Sequence, residues 1–447
     1  MDMKAESSFF KSVITISIPV ALQCMLQSSF SIVDQIMIGQ LGSVSVAAIG
    51  LAGKFSSIFS VVVAAVGAVA GIMISQYIGA GDEQEVNRSF SLNTVVAGLT
   101  ALLFMAVCMS FSRQIMRIYT TDTGTVEIAA GYLRLISVTF LPMAFDTLLS
   151  TMLRCMEKAS LPLYVSIIAA LINTGLNYIL IFGKLGFEPM GVNGAAIATI
   201  LAQGVNLLLL FAGFVYVMMR GKKTFFFSVR LTKMTYRQYW NILFPIFITE
   251  FMWSLGENVY ASIYGHLGTS DCAAMTLTYP VQGLMIGALS GLSQAAGILI
   301  GKELGNREYD SAYTRSKKLI IYGLTGSLVL SVGLMIFKGM YTGLYRVEAP
   351  VKEVAQQILV AFAILSPVKV LNMILGGGIL RSGGRTKIIL WIDLTGTWLF
   401  GVPLGLLGAF VLKLSIPYVY FLLSLEECIR LLISFIMFRK KSWMQTI

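Results

Sequence analysis

Apolar runs of about 20 residues recur along nearly the whole chain, separated by short polar or Gly- and Lys/Arg-bearing segments. A run of that length crosses the roughly 30 Å hydrocarbon layer as a helix. The pattern predicts twelve spans, at approximately 12–38, 46–75, 91–112, 130–152, 161–183, 192–219, 238–264, 272–300, 317–337, 355–379, 387–411 and 414–438. The chain also lies on itself. A shift of 226 positions (245 − 19) sets Pro19 on Pro245, Gly39-x-Leu41-Gly42 on Gly265-x-Leu267-Gly268, Ala70-Gly71-Ile72 on Ala296-Gly297-Ile298, and Gly79 on Gly305. Six spans fall in each copy, so both halves enter the membrane in the same orientation. That implies a pseudo-two-fold axis along the membrane normal and a cleft between two lobes. The expected fold is an all-α membrane protein of two six-helix bundles. Residues 1–220 form the N-terminal lobe, 221–237 a cytoplasmic linker, 238–438 the C-terminal lobe and 439–447 a cytoplasmic tail. Internal duplication in so apolar a chain points to a transporter.

Composition sharpens the class. Hydrophobic residues are 56% of the chain and charged residues 12%, with mean hydropathy +0.80, where a soluble domain carries about 25% charged residues. The first residues, Met-Asp-Met-Lys-Ala-Glu, run into the first apolar stretch without a small-residue cleavage site, so no cleavable signal peptide is expected. With the N-terminus inside, most Lys and Arg fall in inner segments, and the positive-inside rule places both termini in the cytoplasm of a multi-pass inner (plasma) membrane protein. That bias accounts for the net charge of +11 without a nucleic-acid partner. In the linker, Arg220, Lys222, Lys223, Arg230, Lys233 and Arg237 surround Phe225, Phe226 and Phe227. Such a stretch suits anionic inner headgroups, as an interfacial helix or as a topology anchor alone.

Several chemistries are disfavoured. Cys24, Cys108, Cys155, Cys272 and Cys428 are scattered with no CxxC, and the single histidine, His266, stands at the outer end of span 7. Neither a disulfide framework nor a transition-metal centre is expected. No Ser–His pair, HExxH or Gly-rich nucleotide loop supports catalysis or ATP-driven pumping within this chain, so the expectation is a non-enzyme without a cofactor.

Charges inside the bilayer are costly unless paired or facing water, and function is sought there. Asp34 lies fifteen residues after Pro19, about 22 Å along a helix, in the outer half of span 1. Pro19 removes one backbone hydrogen bond and permits a bend in the same helix. A carboxylate on a bendable helix reads either as an ion-coupled switch or as a group bonding neighbouring helices. Asn173 and Asn177 in span 5 are four apart and share one face. Two amide oxygens and a carboxylate form a hard-oxygen set that suits a small cation, although amides also glue membrane helices together. Beyond Na⁺ at these three residues, no metal is expected.

The second half does not copy Asp34, whose counterpart at the 226 offset is Tyr260. Span 7 instead carries Glu250 and Glu257, seven apart on one face. Both are candidates for substrate or a second-lobe cation, with Lys369 in span 10 as a group that neutralises one of them. Asp146 in span 4 and Asp393 in span 11 are further candidates for a cleft-facing position. Lys54 in span 2 is expected to snorkel or to pair with Asp34. Glu426, Glu427 and Arg430 read as a satisfied set within span 12.

Four stretches resemble the multidrug and toxic compound extrusion (MATE) transporters. Pro19 through Val33-Asp34-Gln35-Ile36-Met37-Ile38-Gly39-Gln40-Leu41-Gly42 resembles that family's first helix. Gln76-Tyr77-Ile78-Gly79-Ala80-Gly81-Asp82 is similar to its turn after helix 2. The stretch from Asn173 and Asn177-Tyr178-Ile179-Leu180-Ile181-Phe182-Gly183 to Lys184-Leu185-Gly186 is similar to its helix 5, and Leu380-Arg381-Ser382-Gly383-Gly384 to the end of its helix 10. The resemblance implies a V of two six-helix bundles, rocking between faces, that exports compounds against inward Na⁺ or H⁺ flow. It implies an amino-lobe cation site at Asp34, Asn173 and Asn177. Some members carry an aspartate where Asn177 stands. The family's span 7 glutamate falls near Trp253, between Glu250 and Glu257, and its span 10 carboxylate is replaced by the neighbourhood of Val370 and Asn372.

The expected activity is therefore secondary active antiport of organic, cationic amphiphiles, in exchange for Na⁺ or H⁺ by alternating access, by a chain able to work as a monomer. The alternative is a flippase for a lipid-linked precursor or an exporter of another amphiphilic metabolite. Such a flippase would line its cleft with a cluster of cations, and intramembrane Lys and Arg are few here.

Overall fold

A computed structural model describes residues 3–221, 228, 233–345 and 347–447. Most of the basic linker, including Lys222, Lys223, Phe225–Phe227 and Arg230, lies outside the described residues. The described residues form twelve long helices: α1 (Met3–Gly39), α2 (Ser43–Ala80), α3 (Glu83–Tyr119), α4 (Thr123–Cys155), α5 (Ser160–Phe182), α6 (Gly191–Arg220), α7 (Lys233–Leu267), α8 (Thr269–Gly305), α9 (Tyr309–Gly343), α10 (Ala349–Leu380), α11 (Thr386–Val411) and α12 (416–439). Ten are long and apolar enough to cross a membrane by length and composition. The other two are α7, which carries Glu250 and Glu257, and α12, whose first segment, Ile416–Ser424, gives way at Leu425 to Glu426–Arg439. Most helices overrun the apolar segments read from the sequence. At 1.5 Å per residue, the 37 residues of α1 reach about 55 Å, so backbone hydrogen bonding continues beyond the hydrocarbon layer.

One helix, α9, is inside-out relative to those of a soluble protein. In α9, Val329, Val332, Ile336 and Met340 recur every three or four residues and are exposed, while Ser316, Gly323, Ser327 and Ser331 on the other side are buried. Lipid tails solvate the large apolar face as well as a protein core would, so tight association relies on small residues and interhelical hydrogen bonds. Ser331 Oγ bonds Ser366 Oγ of α10 at 2.7 Å in the same seam.

The chain divides into two compact units. One comprises Met1–Cys24, Ser75–Asp82 and Lys233–Ile447; the other comprises Met25–Ile74 and Glu83–Thr232. The first unit thus contains the start of α1 and the end of α2 together with all of α7–α12. Within it, the end of α2 crosses the end of α8 in a locally symmetric way. A Cβ on Gly79 would collide with the backbone of Lys302, and one on Gly305 with the backbone of Gln76. These positions are partners at the 226 offset (79 + 226 = 305; 76 + 226 = 302), so duplicated glycines build the two sides of one crossing. Gly79→Val and Gly305→Val are each expected to force the backbones apart and cost about 1–3 kcal/mol or more. Comparing unfolding midpoints of the purified variants tests this, and a wild-type midpoint for either would refute the close crossing.

Residues after α12 complete this unit. Trp443 is fully buried and stacks on Phe438, with ring centroids 5.9 Å apart. Gln76 Nε2 donates to the carbonyls of Ser382 (2.6 Å) and Gln445 (3.2 Å), and its Oε1 accepts from Ile447 N at 2.7 Å.

Candidate functional site

In the second unit, local chain chemistry sets up a polar cluster. α5 ends at Gly183, whose left-handed conformation (φ +65°) admits a glycine without strain, and Met190 N returns to Leu180 O at 2.9 Å. α6 then packs back along α5 through Gly194, where a Cβ would come within 2.7 Å of Leu180 O. This close approach sets Thr199 of α6 beside Asn173 of α5, with Asn173 Nδ2 3.4 Å from Thr199 Oγ1. Asn177 Nδ2 donates to Asp34 Oδ1 at 2.9 Å and lies 3.1 Å from Asn173 Oδ1. Asp34, Asn173 and Asn177 are therefore brought together. Thr199 joins them, and one hydroxyl among many in apolar spans gave no signal in the sequence.

The Asn173 amide fits two roles. The atom facing Asp34 lies 3.2 and 3.3 Å from the two carboxylate oxygens. As nitrogen it donates to the carboxylate; as oxygen it accepts from Asn177 and adds a second oxygen beside Asp34. Asn177 Oδ1 is buried without a hydrogen-bond partner. Unsatisfied buried oxygens are rare in folded proteins and call for an explanation. Carboxylate and amide oxygens are hard ligands of the kind a small cation takes. Lys54 is exposed and forms no ion pair with Asp34 among the described residues. Its expected pairing is not observed, leaving Asp34 bonded by amides alone.

Asp146 is held within the same unit, where Asn206 Nδ2 donates to its Oδ2 at 2.6 Å. Asn206 on α6 was not singled out from the sequence; sixty residues separate the pair, and nothing local marks it.

The C-terminal unit carries a denser set. Tyr260 OH donates to Glu426 Oε2 at 2.7 Å. Asn372 Nδ2 donates to the backbone oxygen of Glu427 (2.7 Å) and to its Oε2 (2.8 Å). Arg430 pairs with Asp393 of α11 and, at 3.5 Å, with Glu427. The α12 charges are thus not a self-contained intrahelical set: Asp393 is the nearer partner, and α7 and α10 supply two more. A helix exposes its i+3 and i+4 neighbours to one another, but the tertiary structure decides which of them is outbid by another helix. Glu250 pairs with Arg381 at 3.2 Å rather than with Lys369.

Two cavities adjoin in this unit. The larger, about 250 Å³, is lined by Glu250, Trp253, Lys369, Arg381, Asp393 and Arg430 among others. The smaller, about 130 Å³, is lined by Glu257, Tyr260, Tyr264, Tyr279, Lys369 and Tyr420 among others. Glu250 and Glu257, expected on one face, thus line different cavities, and Lys369 forms part of both walls. Beside the larger cavity, α10 widens into a π-helix over Met373–Leu380, a distortion frequent at functional sites. Ser293 Oγ of α8 donates to Met373 O at 2.6 Å, satisfying a carbonyl at the start of the widened turn.

Comparison with known proteins agrees with this architecture. The MatE family model matches residues 19–179 and again 245–407, and the two matches begin at Pro19 and Pro245, the offset of the internal repeat. The chain is 21% identical to the uncharacterized transporter YisQ of Bacillus subtilis, covering 97% of this chain and 95% of that protein. It is 25% identical to the probable multidrug resistance protein NorM of Agrobacterium fabrum, covering 91% and 88%. Its fold matches the structure of a mutant of the Vibrio cholerae MATE transporter VcmN with TM-score 0.89 at 20% identity, over 98% of this chain and 99% of that one. A family model matched twice, over most of the chain and in step with its duplication, places this protein in the MatE family of multi-pass membrane transporters with the twelve-helix MATE fold.

Proposed function

We propose that this protein is a secondary active exporter of organic amphiphiles in the cell membrane, with both termini cytoplasmic, driven by inward Na⁺ or H⁺ flow and coupled at Asp34, Asn173 and Asn177. The observation that carries this reading is the carboxylate of Asp34 on α1, bonded by Asn177 of α5 and faced by Asn173, with the buried Asn177 Oδ1 left over. A coupling site must exist in two states. Asp34 with amide nitrogens turned toward it is stable without an ion, and the same amides turned over present oxygens to one. Neither amide titrates, so Asp34 alone carries the charge change in this cluster. Pro19 lies inside the same helix and removes one backbone bond there, giving α1 a point at which it can bend. The NorM relative is named a probable multidrug resistance protein, and cavity walls that join Trp253 and Ile286 to charged groups suit amphiphilic cargo.

The lipid-precursor reading receives less support. Arg381 and Arg430 line the larger cavity but are matched by Glu250, Asp393 and Glu427, so the cavity does not present the cluster of free cations that a polyanionic headgroup needs. The test is efflux of a fluorescent organic cation from proteoliposomes under Na⁺ and pH gradients imposed separately. One gradient is expected to drive efflux and its dissipation to stop it. No efflux under either gradient would refute the reading.

A further inference from the structure

We propose that the smaller cavity of the C-terminal unit binds an amphoteric molecule, its anionic group at Lys369 and its ammonium at Glu257 among tyrosines. This specifies a cargo class for the exporter and in that respect rests on the transport reading, but the site is argued from its own residues.

Every other charge in the neighbourhood has a partner. Glu250 is held by Arg381, Asp393 and Glu427 by Arg430, Glu427 also by Asn372, and Glu426 by the Tyr260 hydroxyl. Among the described residues, the side chains of Lys369 and Glu257 form no hydrogen bond and no ion pair within 4.0 Å, with each other or with any group. Glu257, Glu426 and Glu427 line the same cavity as Lys369, and none forms an ion pair with its ammonium. An ammonium group within a membrane span is costly unless something meets it, and its three donors here meet none. The carboxylate of Glu257, exposed on α7, lines the same cavity and likewise meets no donor.

The walls between them decide what fits. Tyr260, Tyr264, Tyr279 and Tyr420 line the space, and the rings of Tyr264 and Tyr420 lie 6.4 Å apart. Aromatic faces attract cations, which favours an ammonium near Glu257. A simple organic cation would leave the ammonium of Lys369 unmet, and a simple anion the carboxylate of Glu257. A molecule bearing both charges satisfies both side chains and carries no net charge into the low-dielectric interior.

The test uses the purified full chain in lipid nanodiscs and three fluorescent probes of one frame: dansyl-lysine, its methyl ester, and its α-N-acetyl derivative. Wild type is expected to bind dansyl-lysine about tenfold or more tightly than either singly charged form, the scale of one charged hydrogen bond. Lys369→Met is expected to erase the preference over the ester, Glu257→Gln the preference over the acetyl form, and Lys369→Arg to retain both. The unfolding midpoint of Lys369→Met should not fall, since no ion pair is broken; a clear fall would make Lys369 structural and overturn the proposal. Equal binding of all three probes, no saturable binding, or an unchanged preference in Lys369→Met would overturn it too. Asp34→Asn keeps the probe preference if only this site sets it, so lost coupling and a lost site are read separately.

Discussion

Asp34→Asn is expected to abolish gradient-driven efflux, lowering it about 100-fold, near the upper end of ordinary coupling between two sites. The asparagine amide has nearly the carboxylate's shape and retains an oxygen to accept from Asn177, so the packing of α1 on α5 has little reason to change. What disappears is the charge. With Asn173 and Asn177 also neutral, the cluster can no longer take up a proton and has no negative group to balance a cation. Binding of cargo should persist in the variant while its dependence on the driving ion vanishes. By linkage, the ion should then no longer alter cargo affinity in a binding assay. The measurement is initial efflux rate in proteoliposomes at matched protein content, beside the unfolding midpoint. Efflux within twofold of wild type would remove Asp34 from the coupling role. Asn177→Asp in the same assay adds a second titratable group where some family members carry one, and is expected to change the ion dependence without loss of fold.

Arg430→Met should produce the largest loss of stability. Arg430 is nearly buried and serves two carboxylates on two helices, Asp393 of α11 and Glu427 of α12. Removing the guanidinium leaves Asp393 with an unpaired charge inside the protein, which costs about 3–5 kcal/mol. Asn372 continues to hold Glu427, so the damage concentrates on Asp393. Adding Asp393→Leu to Arg430→Met should therefore recover much of the loss, because an absent pair is cheaper than half of one. Thermal unfolding of the single and double variants in detergent measures both effects. A double variant no more stable than Arg430→Met would show that the pair is not the unit of stability.

Local features of this protein were legible in its sequence. The apolar runs marked the helices because each span must satisfy its backbone hydrogen bonds within itself, whatever surrounds it. α7 and α12 are recognisable despite their acidic residues, since the 226-residue repeat assigns each a partner span. Asn173 and Asn177 could be placed on one face because four residues is about one helical turn. Asp34 stood out because a carboxylate in a span is rare and expensive.

The pairings between helices were not legible. Thr199 beside Asn173, Asn206 on Asp146, Asp393 on Arg430 and the isolation of Lys369 and Glu257 each depend on the depth and rotation of two helices at once. In a soluble protein an apolar stripe announces which face turns inward. In lipid both faces are apolar, and small residues such as Gly194 and Gly79 set how closely two backbones approach. The sequence by itself determined how many helices there are and which costly polar groups they carry; only the tertiary structure decided which of those groups meet, because in a mostly apolar pattern rotation about a helix axis is marked only by small residues such as the Ser and Gly of α9, which do not say which helix lies opposite.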